Sequence, residues 1–178
     1  MNGKLIKKIG PSGGQNWFTS FSGDGKSLLY SVGSGDPRID IVPVSDLTAK
    51  PTRIGISGWA RSIAWSPDNQ LLAFGTSATE LIIVKPSDGT IVQKWQAKNS
   101  GWSEVTQVSW LDGGKKVAFQ FNYGVEMYDL QENLKYRWGP DELDQYNTGL
   151  NSYYQVKSRG WLGTTDGDQV VRFWPFPA

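Results

Sequence analysis

The side chains best equipped for chemistry in this sequence are its carboxylates and its indoles. A pair of carboxylates flanking a glycosidic bond would serve glycoside hydrolysis. Asp24 and Asp68 recur at one position of a repeated turn, Asp112 stands one residue earlier in the third copy and Asp88 in another turn, which gives them structural work. Asp36, Asp40, Glu80, Glu126, Asp166 and Asp168 remain, and no two of them stand out as a pair. Asp141-Glu142-Leu143-Asp144 offers oxygen ligands for calcium, but its spacing matches no calcium loop, so it reads as a solvated acidic link. Gly33-Ser34-Gly35-Asp36-Pro37-Arg38 has the glycines of a phosphate loop without its Gly-Lys-Ser/Thr ending, and no helix pattern follows. It reads as an extended loop in which Pro37 sets a turn. Histidine and cysteine are absent. That removes Ser-His and Cys-His nucleophile pairs, disulfides, haem ligation by either residue and the zinc sites they build. No catalytic residue, metal or cofactor is expected, and the chain reads as a non-enzyme.

Five of the 9 tryptophans in these 178 residues fall into two sets. Trp65 and Trp110, with Phe21, Tyr30, Phe74 and Phe119, fall at equivalent positions of a repeat and are expected to pack between neighbouring units. Trp17, Trp59 and Trp102 instead sit in the connection entering each unit, as Asn16-Trp17, Gly58-Trp59 and Gly101-Trp102. An aromatic ring around one face would anchor a peptide or ligand there. Arg61 and Glu104, each two residues after such a tryptophan, would add polar specificity, and Tyr153 is the candidate of the last unit.

The elements that position these residues come from the repeat itself. Phe21-Ser22-Gly23-Asp24-Gly25-Lys26-Ser27-Leu28-Leu29-Tyr30, Trp65-Ser66-Pro67-Asp68-Asn69-Gln70-Leu71-Leu72-Ala73-Phe74 and Trp110-Leu111-Asp112-Gly113-Gly114-Lys115-Lys116-Val117-Ala118-Phe119 align without gaps, 44 and 45 residues apart. Asp, Asn and Gly at the centre supply the local hydrogen bonds and positive φ of a hairpin turn. Ile39–Val42, Leu81–Val84 and Val125–Tyr128 supply a third strand, and Thr90–Trp95 and Leu134–Trp138 are the clearest fourth strands. Four short strands every 40 to 45 residues, with no sustained 3.6-residue apolar period, are the signature of an all-β propeller built of four-stranded antiparallel blades.

Ala64-Trp65-Ser66-Pro67-Asp68-Asn69-Gln70-Leu71-Leu72-Ala73-Phe74-Gly75 resembles the strand-turn-strand core of a bacterial WD-repeat blade. The match is degenerate. Gly58-Trp59 and Gly101-Trp102 stand where that family often has Gly-His, and the closing Trp-Asp is missing, with Tyr128-Asp129 nearest to it. Phe173-Trp174-Pro175 ends without an Asp, so the family's buried Asp-His-Ser/Thr-Trp network cannot form. The resemblance implies a non-catalytic platform that binds a protein or peptide through its top face. A carbohydrate- or small-ligand-binding propeller is the alternative, and a glycoside hydrolase comes third, since several glycosidases are propellers.

The units run over about 16–56, 58–97, 101–139 and 150–176. Asn2–Ile9 aligns with Asp88–Trp95, so residues 1–10 read as a fourth strand without its own blade, and the last unit supplies only three. The orphan strand is expected to complete the last blade. Three arrangements are open: a four-bladed ring in one chain, an eight-bladed ring of two chains that exchange first strands, or part of a longer propeller. The homodimer is preferred, because closed symmetric assemblies are the common answer to open interfaces. The charge balance of 18 Lys+Arg against 17 Asp+Glu argues against a nucleic-acid partner. No apolar run approaches the roughly 20 residues of a membrane span, and Met1–Gly10 lacks a secretory apolar core. A soluble cytoplasmic protein without membrane contact is expected.

Overall fold

Short runs of alternating polarity, cut by Gly, Asp and Asn, fold as antiparallel strands joined by tight turns. The computed structural model describes residues 3–10, 14–97, 105–121, 124–138, 150–156, 159–166 and 171–175. The first sheet holds β1 (Asn16–Phe21), β2 (Ser27–Val32), β3 (Arg38–Pro43) and β4 (Thr52–Gly55). The second holds β5 (Ile63–Trp65), β6 (Leu72–Gly75), β7 (Glu80–Val84) and β8 (Ile91–Gln96). The third holds β9 (Gln107–Leu111), β10 (Lys116–Phe121), β11 (Gly124–Asp129) and β12 (Leu134–Trp138). The fourth has three strands, β13 (Leu150–Val156), β14 (Trp161–Asp166) and β15 (Val171–Pro175). Each sheet is a meander in chain order, and helical geometry among the described residues is limited to the 3-10 turn Asp112–Gly114 and a 3-10 residue at Arg159.

The first two repeated turns are built as the sequence suggests, whereas the third is a 3-10 turn, Asp112–Gly114, in which Asp112 pairs with Lys116 (3.5 Å). The Ser22 hydroxyl donates to Asp24 (2.7 Å) and the Ser66 hydroxyl to Asp68 (2.5 Å). The two carboxylates also accept from the backbone N–H of Lys26 (3.1 Å) and Gln70 (3.0 Å). Gly25 (φ 70°) and Asn69 (φ 59°) occupy the same turn position in the left-handed region, which those two residue types tolerate best. Asn69 also accepts from the Gly23 N–H (2.6 Å), tying the second turn to the first.

One packing rule joins the sheets. Ile39 and Ile41 of β3 pack with Ile63 of β5 and Leu72 and Phe74 of β6. Leu81 and Ile83 of β7 pack in the same way with Val108 of β9 and Val117 and Phe119 of β10. Val125 and Met127 of β11 pack with Leu162 of β14. The register makes these sets equivalent: Leu72 pairs with Val84, Val117 with Tyr128 and Leu162 with Trp174. Alternate residues of each third strand are thus buried by the first two strands of the next sheet, at roughly 1.5–3 kcal/mol for each large side chain. Polar bonds reinforce the contact. The Ser31 hydroxyl donates to the Ala60 carbonyl (2.9 Å), and the Trp110 indole N–H donates to the Ala64 carbonyl (2.9 Å).

Two expectations change at the ends of this row. Phe21, the mate of Trp65 and Trp110, is 60 % exposed, because no sheet covers that side of β1. The amino-terminal segment does not complete the fourth sheet within the chain: residues 3–10 join no sheet, and β15 stands at the far end of the row. The segment lies by the first sheet instead, where Ile9 shares a cavity wall with Thr19, Leu28 and Tyr30.

The equivalent indoles Trp65 and Trp110 differ in one respect, since Trp65 Nε1 is buried without a hydrogen-bond partner. Both lose the same ring volume on substitution by Phe, so the difference isolates the hydrogen bond. Trp110→Phe is expected to destabilise by about 1–2 kcal/mol more than Trp65→Phe in urea unfolding. Equal losses would contradict this assignment.

Candidate binding rim

Trp17 lies inside β1 rather than in a connection ahead of it, whereas Trp59 precedes β5, and the two converge. Trp17 is the extra residue of an irregular register between β1 and β2, where Asn16 pairs with Val32 and Phe18 with Ser31. Such a bulge re-aims a side chain. Its indole lies against the backbone of Gly33, where a Cβ would come within 1.8 Å of Nε1. Trp59 is fixed through its main chain: its carbonyl accepts from the Ser77 N–H (2.9 Å), and its N–H donates to the Ser77 hydroxyl (3.2 Å). Gly58 permits this with φ 78°, and a Cβ there would meet the same hydroxyl.

The two rings stack with centroids 6.3 Å apart and planes 26° apart. The Arg61 guanidinium sits 4.4 Å from the Trp17 centroid, on cation–π terms. Each tryptophan remains 38 % exposed. The structure therefore brings Trp17, Trp59 and Arg61 into one solvent-facing stack on the edge where β1 begins and β2 ends. Trp102 and Glu104 lie outside the described residues. Tyr153 sits in β13 opposite Thr164, with its backbone alone described. The role of Gly33 escaped the sequence reading, which took its loop only as a failed phosphate loop. A glycine one residue beyond a strand end was the available signal.

The carboxylates are occupied otherwise. Hydroxyl donation from Ser22 and Ser66, then backbone N–H donation, hold Asp24 and Asp68 below the ordinary carboxylate value of 3.8. Asp46 is lowered likewise by Thr48, and Asp88 by Thr90, with the backbone N–H as its largest cause. Buried Asp40 faces Arg38 (3.0 Å) and Arg53 (3.2 Å). Buried Glu126 accepts from the Tyr128 hydroxyl (2.7 Å) and pairs with Lys135 (2.9 Å). Burial, and then Glu126, push the Tyr128 hydroxyl well above its ordinary value, so it stays a proton donor in that bond. Asp40 and Glu126 belong to different sheets. Among the described residues no group of three or more metal-binding side chains gathers. Asp141, Glu142, Asp144 and Asp168 lie outside those residues. No described helix is long and apolar enough to cross a membrane.

A family model, the anaphase-promoting complex subunit 4 WD40 domain, matches residues 52–125. The Cps50 (Swd1) β-propeller domain of Myceliophteria thermophila superposes on 97 % of this chain with a TM-score of 0.75 and 14 % identity. The fold is that of a β-propeller. Sqt1 of Chaetomium thermophilum, solved bound to the N-terminus of the ribosomal protein L10, superposes on 90 % of the chain with a TM-score of 0.69 and 20 % identity. The chain spans 54 % of the first of those structures and 42 % of the second, about half of each. No curated protein matches it. The four sheets are therefore blades of a propeller, arranged as an arc, and the Trp17–Trp59 stack lies on the rim of its first two blades.

Gly33→Ala is expected to displace Trp17 and break the stack, read as loss of the near-ultraviolet circular dichroism of the coupled indoles while the far-ultraviolet spectrum is kept. An unchanged near-ultraviolet spectrum would contradict the packing of Trp17 on Gly33. Asp68 lends stability above pH 3.8 that is lost as pH falls through its lowered value. The deficit of Asp68→Ala in urea unfolding should therefore be full at pH 7 and fade below pH 3.8. A deficit independent of pH would show that the carboxylate's charge plays no part.

Proposed function

We propose that this chain is a non-catalytic interaction module that binds a protein or peptide on the rim carrying Trp17, Trp59 and Arg61. The observation that carries the reading is the stack itself: two tryptophans and an arginine, held by backbone contacts yet open to solvent. Trp, Tyr and Arg are the residues that most often dominate binding energy at protein interfaces, and rigid rings lose little freedom on contact. Trp102, Glu104 and Tyr153 are proposed to extend the rim over the third and fourth blades. The peptide-bound state of Sqt1 and the WD40 family match support the same class of function. A second copy of the chain is one of the proposed protein partners, closing an eight-bladed ring.

Selection from a random peptide library displayed on phage, run beside a glycan array, tests the rim. Peptides are expected to be enriched, and Trp59→Ala should weaken them about 30-fold, or about 2 kcal/mol, with an unchanged melting temperature. Glycan binding without peptide binding would favour the carbohydrate reading. A Trp59→Ala variant that melts several degrees lower yet binds normally would make the stack structural and contradict the proposal.

A further inference from the structure

The two ends of the arc carry matching halves of the contact that joins its interior blades. At the far end, the register Gly163–Phe173 and Thr165–Val171 makes Phe173 and Val171 the mates of Ile83 and Leu81. Ile83 and Leu81 are wholly buried by the following blade, whereas Val171 is 48 % and Phe173 55 % exposed. Trp161 packs on Phe173 at 5.6 Å and is exposed with it. At the near end, Leu28 and Tyr30 are the mates of Val117 and Phe119, and Thr19 is the mate of Val108. Val117 and Phe119 are fully buried against Leu81 and Ile83, while Leu28 and Tyr30 are half-buried and Thr19 is exposed.

We infer that the Trp161–Val171–Phe173 face of one copy packs on the Thr19–Phe21–Leu28–Tyr30 face of a second copy, and the reverse, so that two arcs close one ring. The inference rests on the two-chain reading above and names its surfaces. The occupant is another copy because each end presents the side that the other end lacks. The chain spans 54 % and 42 % of two propeller structures, so two copies amount to about one such ring. A polymer of such head-to-tail contacts stops growing when the ring closes. The amino-terminal segment fits the same scheme. Ile9 lies at the Thr19–Leu28–Tyr30 face. In the interior, Val92, Gln93 and Trp95 of β8 line a cavity with Asp129 and Leu130 of the third blade. Residues 3–9 therefore sit where the outer strand of a preceding blade belongs, with Leu5 75 % and Ile6 97 % exposed. In the closed ring they lie beside the free edge of β15 and add to it as a fourth strand, satisfying backbone groups that an open edge leaves bare.

The test is the solution mass of the 178-residue chain by light scattering across concentration, with variants Phe21→Lys and Phe173→Glu. Both side chains are exposed in the single chain, so folding should survive, which circular dichroism checks. The unaltered chain should run at twice 19.7 kDa. Each variant alone should be monomeric, because it spoils both contacts of its ring. An equimolar mixture of the two should regain the dimer, since one contact is then unaltered and the other sets opposite charges together. A monomer at every concentration, or a dimer indifferent to both substitutions, overturns the inference. Phage-peptide binding at the Trp17–Trp59 rim, read on the same variants, separates failure of this interface from failure of the rim.

Discussion

The structure depends on one repeated contact: alternate apolar residues of a third strand entering the first two strands of the next sheet. No sheet here has a core of its own. Ile39 and Ile41, Leu81 and Ile83, and Val125 and Met127 are each buried only because another blade follows. The contact is directional, since a blade offers its third strand forward and its first two strands backward. The same contact recurs with similar side chains at equivalent positions of the blades. Leu72, Val117 and Leu162 fill the same place, and Ala73, Ala118 and Gly163 keep the residue beside it small. Directionality explains the exposed aromatics at the two ends, which are ordinary interior side chains without a neighbour.

Rigidity of the same origin serves the rim. The strands that lead to Trp17 and Trp59 are held by the packing of the first blade on the second, so the loops between them need few bonds to fix two indoles. Gly33 lets one indole lie on the main chain, and Ser77 fastens the other. The Arg61 guanidinium sits over the Trp17 ring, and both indoles keep part of their surface in solvent. The buried charges do different work. The Arg38–Asp40–Arg53 and Tyr128–Glu126–Lys135 groups bind one strand to another inside a blade, and the turn carboxylates stiffen hairpins.

Much of the fold was legible because turn chemistry and period are local. Asp24 and Asp68 with their preceding serines mark two hairpins, and the spacing of Phe21, Trp65 and Trp110 places equivalent strands in register. Trp17, Trp59 and Arg61 could be picked out because they stand outside that repeat. Their mutual order could not, because the stack depends on a bulge at Trp17 and on Gly33, a loop residue with no counterpart used in the alignment. The exposure of Phe21 was equally hidden. Its residue type matches the interior aromatics, and its environment depends on whether a neighbouring blade is present. The same holds for residues 3–10, whose sequence aligns with the fourth strand of the second blade although they join no sheet in the single chain.

Amide hydrogen exchange, followed from dilute to concentrated solution, measures the central contact most directly. If burial by a neighbouring blade holds each sheet, β6, β7, β10 and β11 exchange slowly at every concentration. The amides of β1, β2, β14 and β15 exchange fast in the dilute chain and slow as it is concentrated. End sheets as protected as the middle ones in the dilute chain would contradict the account, because each blade would then be stable without the neighbour that the packing requires.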